Sequence, residues 1–205
     1  DAVTYSFFGN KTITTGEGGI VIFDSQIVAE KARILRDHGM TPGRRYHHEV
    51  VGFNYRMTNL QAAVGVAQYE NLDQVLDKKF KVVERYKCNL KGSGIAVQKI
   101  DKTGSSSNWV FSVLVPEEAL GGAIEELTKN KVEFRRCFEP MSEQPAFSSA
   151  KVFGQLENSA YVFKRLLMLP THSNLTFDQV DRVSECLING LAKNHSRDRN
   201  WQPDV

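Results

Sequence analysis

The chain has 205 residues, of which 41% are hydrophobic and 24% charged, and its formal net charge is +2. This length accommodates one large or two small domains, and the composition is ordinary for a globular protein. The near-neutral charge argues against nucleic acid or an anionic membrane as a partner, and no apolar run approaches the roughly 20 residues that span a bilayer.

The three cysteines, Cys88, Cys137 and Cys186, are odd in number and widely spaced. They form neither a CxxC pair nor a disulfide framework, and no basic-then-apolar leader is visible, so we expect a cytoplasmic protein. The chain opens on Asp1, directly before a strand-like run and without an initiator methionine. We therefore expect these residues to be part of a longer protein.

The first elements predicted are two strands, at residues 2–8 and 19–23, joined by a glycine- and threonine-rich loop. Asp24 or Ser25 is placed to cap a helix that stops before Gly39. A polar, irregular stretch follows.

Thr58 and Gln61 form a capping-box pattern, which marks the start of a helix. The apolar residues from Asn59 to about Lys91 keep a helical rhythm. One long helix fits this stretch, and two consecutive helices with a break near Asn71 fit nearly as well. Such a length suits a connection between two domains.

A small α/β domain is predicted after this connection, over residues 92–193. Its pattern predicts strands at 95–98, 108–115 and 131–135, a helix from Pro116 to about Asn130, a helix near 156–166, a short apolar segment at 167–169, and a last helix capped by Thr176. Residues 194–205 are expected to form a polar, frayed tail.

The stretch Thr4–Gly19 is the strongest candidate for chemistry, because Lys11 is its one lysine. Its glycines let the backbone approach a ligand closely, and it carries hydroxyls suited to an anion on Ser6, Thr12, Thr14 and Thr15. A lysine that attacks a carbonyl must be unprotonated, against an ordinary pKa of about 10.4, so it needs a shielded site. This favours pyridoxal phosphate chemistry over other enzyme classes, although on composition alone a solvated surface lysine is the commoner case.

Other kinds of site fit the residues less well. Asn10 stands where a nucleotide P-loop needs its second glycine, and no GxSxG elbow surrounds Ser6. His47 and His48 are adjacent and lack the spacing of zinc ligands. We therefore predict no metal site.

Two blocks, Ser6–Gly19 and Gly52–Ala63, resemble the sugar aminotransferases of the DegT/StrS type, and a weaker resemblance covers nearly the whole chain. This resemblance implies that the chain has an α/β fold and forms the C-terminal part of the aspartate-aminotransferase (PLP type I) fold. Residues 1–58 would be the remainder of the large PLP-binding domain, 59–91 a connecting helical segment and 92–193 the small domain. Within the family, the sequence around Lys11 is most similar to that of the GDP-perosamine synthases.

The resemblance also implies an activity. The full-length protein would be a homodimeric aminotransferase that uses pyridoxal 5′-phosphate and takes part in polysaccharide biosynthesis. It would convert a nucleotide-linked 4-keto-6-deoxy sugar to its amino sugar, with glutamate as the amino donor. Lys11 would be the catalytic residue, holding the cofactor as a Schiff base and moving a proton between substrate and cofactor.

Roles in binding are implied for other residues by the same resemblance. Ser6 would bind the cofactor phosphate, and Asn54 would reach the same phosphate from the other subunit. Arg56 would lie near the diphosphate of the nucleotide sugar, which suits a charge-assisted fork. His47, together with the loop that carries Arg44 and Arg45, would contact the sugar nucleotide.

Two departures from the family pattern limit these implications. The family's phosphate loop, its cofactor-stacking aromatic residue and the aspartate that pairs with the pyridine nitrogen all lie upstream of the Lys11 block. We therefore expect the full-length protein to be active and these 205 residues alone to have little or no activity. Ser142 also stands where the small-domain motif usually has a histidine.

Two alternatives stay open. One is a dehydratase of the same family, in which a histidine replaces the lysine; Lys11 argues against it. The other is a non-catalytic or truncated family member that still dimerises.

Overall fold

The computed structural model describes residues 1–101 and 103–193. The chain divides into two compact units, the first of which is Asp1–Val75 and the second of which begins at Leu76. This division falls inside the segment 59–91 that was predicted to connect two domains. The polar tail predicted at 194–205 lies outside the described residues.

The first unit begins with an antiparallel strand pair, β1 (Ala2–Ser6) and β2 (Gly19–Phe23), in which Ala2 faces Phe23. The strand predicted at 19–23 is confirmed. The one predicted at 2–8 ends earlier, because the Phe8 amide donates to Ser6 Oγ at 3.3 Å and the chain turns there.

Helix α1 (Gln26–Arg36) follows β2, and its first turn is capped by Ser25, one of the two predicted caps. It ends before Gly39, as expected.

Two helices occupy the predicted helical stretch, α2 (Asn59–Glu70) and α3 (Leu72–Asn89), so the break at Asn71 is confirmed. The capping box at the start of α2 is complete. Thr58 Oγ1 accepts from the Gln61 amide at 3.2 Å, and Gln61 Oε1 accepts from the Thr58 amide at 2.9 Å. At the break, Asn71 Nδ2 donates to the Ala67 carbonyl at 2.9 Å. This bond satisfies one of the carbonyls that the end of α2 leaves unpaired.

The second unit contains a four-stranded antiparallel sheet with the strand order β3-β4-β6-β5. The strands are β3 (Ala96–Val97), β4 (Phe111–Leu114), β5 (Arg135–Arg136) and β6 (Leu166–Leu169). The helices are α4 (Leu120–Lys129), α5 (Glu157–Arg165) and α6 (Phe177–Lys193), with 3₁₀ turns at Glu117–Ala119, Met141–Glu143 and Pro145–Phe147.

The strand predicted at 131–135 is wrong in position. Lys131 and Val132 belong to the C-cap of α4, because Lys131 has a φ of 56° and the Val132 amide donates to the Leu127 carbonyl at 2.9 Å. This is the six-to-one bond of a left-handed helix C-cap. Strand pairing therefore begins only at Arg135, which lies opposite Met168.

The hydrophobic core of the second unit is built, among the described residues, mainly from α3, α4, α6, β4 and β6. Its fully buried side chains include Tyr86, Val113, Leu127, Leu167, Val180 and Leu187. Burial alternates along β4, so one face of this strand packs on the core. Phe111 is buried there and stacks on Tyr86 with ring centroids 5.1 Å apart.

Polar contacts fix the helices around this core. Thr176 Oγ1 accepts from the Gln179 amide at 3.3 Å and confirms the predicted cap of α6. The Asp181 carboxylate of α6 accepts two bonds from the Arg85 guanidinium of α3, at 2.7 and 2.6 Å. These bonds, with one from Asn89, hold the pKa of Asp181 at about 2.

The first unit has no comparable core among its described residues. All five residues of β1 are exposed, and α1 and α2 contain no buried residue. Large apolar side chains of both strands stand about half exposed: Val3, Tyr5, Ile20, Val21 and Ile22. Its order rests instead on backbone and side-chain hydrogen bonds.

Candidate active site

The loop that carries Lys11 is closed at its base by the backbone of Phe7. The Phe7 amide donates to the Gly18 carbonyl, and the Phe7 carbonyl accepts from the Thr15 amide and from Thr14 Oγ1, each at 2.9 Å. Inside the loop, the Lys11 amide donates to the Phe8 carbonyl at 2.9 Å. Lys11 therefore stands on a turn whose two ends are fixed.

Two of the threonine hydroxyls that were expected to bind an anion serve the loop itself. Thr14 Oγ1 donates to Phe7 and accepts from the Gly16 amide at 2.9 Å, and Thr15 Oγ1 donates to the Glu17 carbonyl at 2.6 Å. Each hydroxyl has one proton, and both protons are used. These two side chains thus shape the loop rather than leaving donors for a ligand.

Helix α2 anchors the same loop from one side. The Thr14 amide donates to Gln68 Oε1, and Gln61 Nε2 donates to the Glu17 carbonyl, both at 3.3 Å. Between these two bonds, the buried Thr15 packs where α2 has Gly65, since a Cβ at that position would lie 2.9 Å from the Thr15 methyl group. The glycine lets the loop sit directly on the helix.

Of the predicted site residues, Lys11 lies in this loop and Ser6 is the last residue of β1, which leads into it. The Lys11 side chain is half-buried. Ser6 Oγ accepts from the Phe8 amide, so its own proton remains for an acceptor such as a phosphate oxygen. A primary amine and a hydroxyl donor are the kinds of group that the aldehyde and the phosphate of pyridoxal phosphate would need.

Asn54 and Arg56 form a second group, at the end of α1. Arg56 Nε donates to Asn54 Oδ1 at 3.3 Å, and Arg56 Nη1 lies 3.1 Å from Asp37 Oδ1. The backbone of this segment satisfies the last carbonyls of the helix, because the Phe53 amide donates to Leu35 and the Tyr55 amide donates to Arg36.

Two glycines allow this segment to touch the end of α1. Gly39 has a φ of 70°, and a Cβ there would collide with the carbonyl oxygen of Val50. A Cβ on Gly52 would collide in turn with the amide nitrogen of Gly39. Main chain meets main chain at this crossing, which places Asn54 beside Asp37.

His47 is half-buried, and its carbonyl accepts from the Thr41 amide at 2.8 Å. It does not line the arginine-rich cleft of about 520 Å³ that its neighbours Arg44 and Arg45 help to form with Arg56. The ring of His48, by contrast, is held by a 2.9 Å bond between Nδ1 and the His38 carbonyl.

Sequence reasoning missed three residues of this region, namely Asp37, Arg33 and Arg36. Asp37 is the ion-pair partner of Arg56, and Arg33 and Arg36 line the cleft. The available signal was the spacing of the two arginines, since residues three apart in the last turn of a helix share a face. The partnership with Asp37 depends on the crossing at Gly39 and carries no local signal.

Neither a metal-binding cluster nor a membrane-spanning helix is found among the described residues. Among residues 1–101 and 103–193, no three side chains of His, Cys, Asp or Glu are grouped so as to hold a metal ion. Over the same ranges, no helix combines the length and the apolar character needed to cross a bilayer. All three cysteines are free thiols.

Comparison with known proteins gives a consistent result. The model of the DegT/DnrJ/EryC1/StrS aminotransferase family matches residues 1–188. The GDP-perosamine synthase of Vibrio cholerae is 38% identical over 92% of this chain. The chain covers 52% of that relative, and so spans about half the length of the curated relatives it matches.

Solved structures share the fold. The aminotransferase TlmJ from Streptoalloteichus hindustanus superposes with a TM-score of 0.87 at 23% identity, over 96% of this chain and 53% of TlmJ. The PLP form of the putative sugar aminotransferase Spr1654 from Streptococcus pneumoniae gives a TM-score of 0.84 at 23% identity, over 95% and 52% of the two chains. The predicted fold class is thereby confirmed.

Proposed function

Because the chain belongs to the DegT/DnrJ/EryC1/StrS aminotransferase family, we propose that it carries the lysine side of the active site of a nucleotide-sugar aminotransferase. The observation that carries this proposal is the half-buried Lys11 on a loop fixed both by Phe7 and by α2. Pyridoxal 5′-phosphate is the cofactor that fits this loop, and when bound it supplies an electron sink for the substrate's α-carbon. The substrate is a nucleotide-linked 4-keto-6-deoxy sugar, and the amino donor is glutamate.

The chain's own residues have distinct tasks in this proposal. The Lys11 amine would hold the cofactor through its aldehyde carbon, and Lys11 Nζ would accept and return a proton at the reacting carbon of the substrate. The fixed loop keeps Nζ in place, which lowers the entropic cost of that transfer. The Ser6 hydroxyl donates to a phosphate oxygen of the cofactor, for which its proton remains available.

The second group of residues works at the other end of the ligands. Asn54 binds the cofactor phosphate across a homodimer interface, so each site is completed by two subunits. Arg56, oriented by Asn54 and Asp37, directs a guanidinium fork toward the diphosphate of the sugar nucleotide. His47 contacts the sugar. Sedimentation of the protein tests the dimer that this arrangement requires.

Reductive trapping tests the role of Lys11. The chain is incubated with pyridoxal phosphate, reduced with borohydride and digested, and the phosphopyridoxyl group is located by mass spectrometry. We expect Lys11 to carry the group at a clearly higher occupancy than Lys31, an exposed lysine of α1. Lys11→Arg should abolish that signal and leave Lys31 unchanged.

Equal labelling of Lys11 and Lys31 would contradict the proposal and favour a non-catalytic relative. We further expect the 205-residue chain alone to show little or no amino transfer, whereas a longer protein that contains it is active. Turnover by the 205 residues alone would overturn this second expectation.

A further inference from the structure

One face of α2 meets the loop that carries Lys11, and its residues differ from the rest of the helix. Gln61, Gly65 and Gln68 lie four and three residues apart, so they share this face. The residues of α2 between them are apolar and exposed: Ala62, Ala63, Val64, Val66 and Ala67. The glycine and the two glutamines thus coincide with the contact to the loop.

Gly65 sets the distance between the helix and the loop. A Cβ at this position would lie 2.9 Å from the methyl group of the buried Thr15. Rotation of the Thr15 side chain to another rotamer would move the methyl group, but it would also break the 2.6 Å bond from Oγ1 to the Glu17 carbonyl. An added methyl group on the helix would therefore displace the loop.

Gln68 supplies a hydrogen bond that the loop does not make by itself. The Thr15 amide and the Thr14 hydroxyl donate to the Phe7 carbonyl. The Thr14 amide donates outside the loop, to Gln68 Oε1 at 3.3 Å. Gln61 also forms the capping box of α2, so Gln68 is the glutamine whose effect on the loop can be separated from the start of the helix.

We propose that Gly65 and Gln68 are positioning residues for the Lys11 amine, an inference that rests on the proposed function of Lys11. Lys11 lies between two anchored points, because its own amide donates to Phe8 and Thr14 is held by Gln68. Both positioning residues act through the loop and not on the ligand. A displacement of about 1 Å can lower a rate on the order of 100-fold, so a small shift of this turn matters.

Gly65→Ala tests the close contact. We expect reductive trapping of pyridoxal phosphate on Lys11, relative to the exposed Lys31 in the same digest, to fall by roughly tenfold. Adding Thr15→Ser removes the obstructing methyl group and keeps the hydroxyl, so the double variant should return to within about threefold of the wild type. Thr15→Ser alone should leave the labelling ratio unchanged.

Thermal unfolding distinguishes positioning from stability. Alanine favours the helix more than glycine does, so the loss of labelling in Gly65→Ala should not be matched by a loss of secondary structure in α2. Reduced labelling that Thr15→Ser fails to restore would contradict the role of Gly65.

Gln68→Met tests the hydrogen bond, since methionine matches glutamine in length and helix propensity but offers the Thr14 amide no comparable acceptor. We expect the labelling ratio to fall on the order of fivefold. Gln68→Glu keeps an acceptor oxygen and should retain the ratio. Gln74→Met is the matched control, at an exposed position of α3 whose side chain makes no hydrogen bond among the described residues.

Amide hydrogen exchange, followed by NMR, tests the same anchor without pyridoxal phosphate. The Thr14 amide should exchange on the order of tenfold faster in Gln68→Met than in the wild type, and at the wild-type rate in Gln74→Met. Unchanged exchange in Gln68→Met would contradict the role of Gln68.

The wild-type labelling ratio separates the two proposals. Equal labelling of Lys11 and Lys31 in the wild type contradicts the proposed function and, with it, this inference. A wild-type preference for Lys11 that survives in both Gly65→Ala and Gln68→Met leaves the proposed function standing and overturns the positioning role.

Discussion

Tyr86 both stabilises and destabilises the core of the second unit, the first through its ring and the second through its hydroxyl. The residue is fully buried, and its ring stacks on Phe111 at 5.1 Å. Its hydroxyl has no hydrogen-bond partner among the described residues. A buried hydroxyl without a partner costs free energy, because it has given up its bonds to water.

Tyr86→Phe should therefore raise the free energy of unfolding, by on the order of 1 kcal/mol. Burial also raises the pKa of Tyr86 well above its ordinary value. Above pH 10 the unfolded chain loses this proton while the folded chain keeps it, so stability falls as pH rises. In Tyr86→Phe, the part of this fall in stability that comes from the Tyr86 proton should be absent.

Urea unfolding at pH 7 and at about pH 10.5 measures both effects of Tyr86→Phe. Tyr161→Phe, at an exposed position of α5, is the matched control and should change neither. A stability of Tyr86→Phe equal to or below that of the wild type at pH 7 would show that the hydroxyl is satisfied in solution.

The contact between α4 and α6 depends on the absence of a side chain at Gly190. A Cβ at this position would lie 2.5 Å from the Ala123 Cα and 2.7 Å from the Gly122 carbonyl oxygen. Both obstacles belong to the main chain, so neither can turn aside as a flexible side chain would. The two helices must separate to admit a methyl group.

Gly190→Ala should lower the free energy of unfolding by about 1–3 kcal/mol, since overpacking outweighs the gain in helix propensity of roughly 1 kcal/mol. Gly121 is the control, because it lies in α4 with open space around it. Gly121→Ala should raise stability by about 0.5–1 kcal/mol. Thermal unfolding of the two variants decides the point, and a stabilised Gly190→Ala would show that the helices are not in close contact.

Elements with a chemical start signal were predictable from the sequence. Thr58 and Thr176, each followed three residues later by a glutamine, mark the starts of α2 and α6. The strand displaced to Arg135 shows the limit of such reasoning. The residues with high β propensity after Asn130 begin in the C-cap of α4. This cap depends on the positive φ angle of Lys131, which strand propensity does not predict.

The two units differ in how they are held together. The second has a continuous core, whereas the first is a two-stranded sheet and two helices joined by hydrogen bonds. A two-stranded sheet with exposed faces is only marginally stable by itself.

The fold class could be predicted from the resemblance of two sequence blocks to a known family. The grouping of Arg33 and Asp37 with Arg56 could not be predicted, because it depends on the crossing of two segments that are distant in the sequence.

Hydrogen exchange of the intact chain should report this difference directly. We expect the amides of β1 and β2 to exchange on the order of 100-fold faster than those of β4 and β6, because they open without unfolding a core. Exchange followed by mass spectrometry resolves these peptides. Equal protection of the two sheets would show that the first unit is covered in solution.

The crossing of Gly39 and Gly52 also has a consequence for inherited variation. A substitution that overpacks neighbouring side chains can be compensated by a smaller side chain beside it. Here the obstructing atoms are the Val50 carbonyl and the Gly39 amide, which every possible residue possesses. A protein that has lost either glycine therefore cannot regain this contact through a smaller side chain at a neighbouring position. Only a return to glycine at the same position removes the clash.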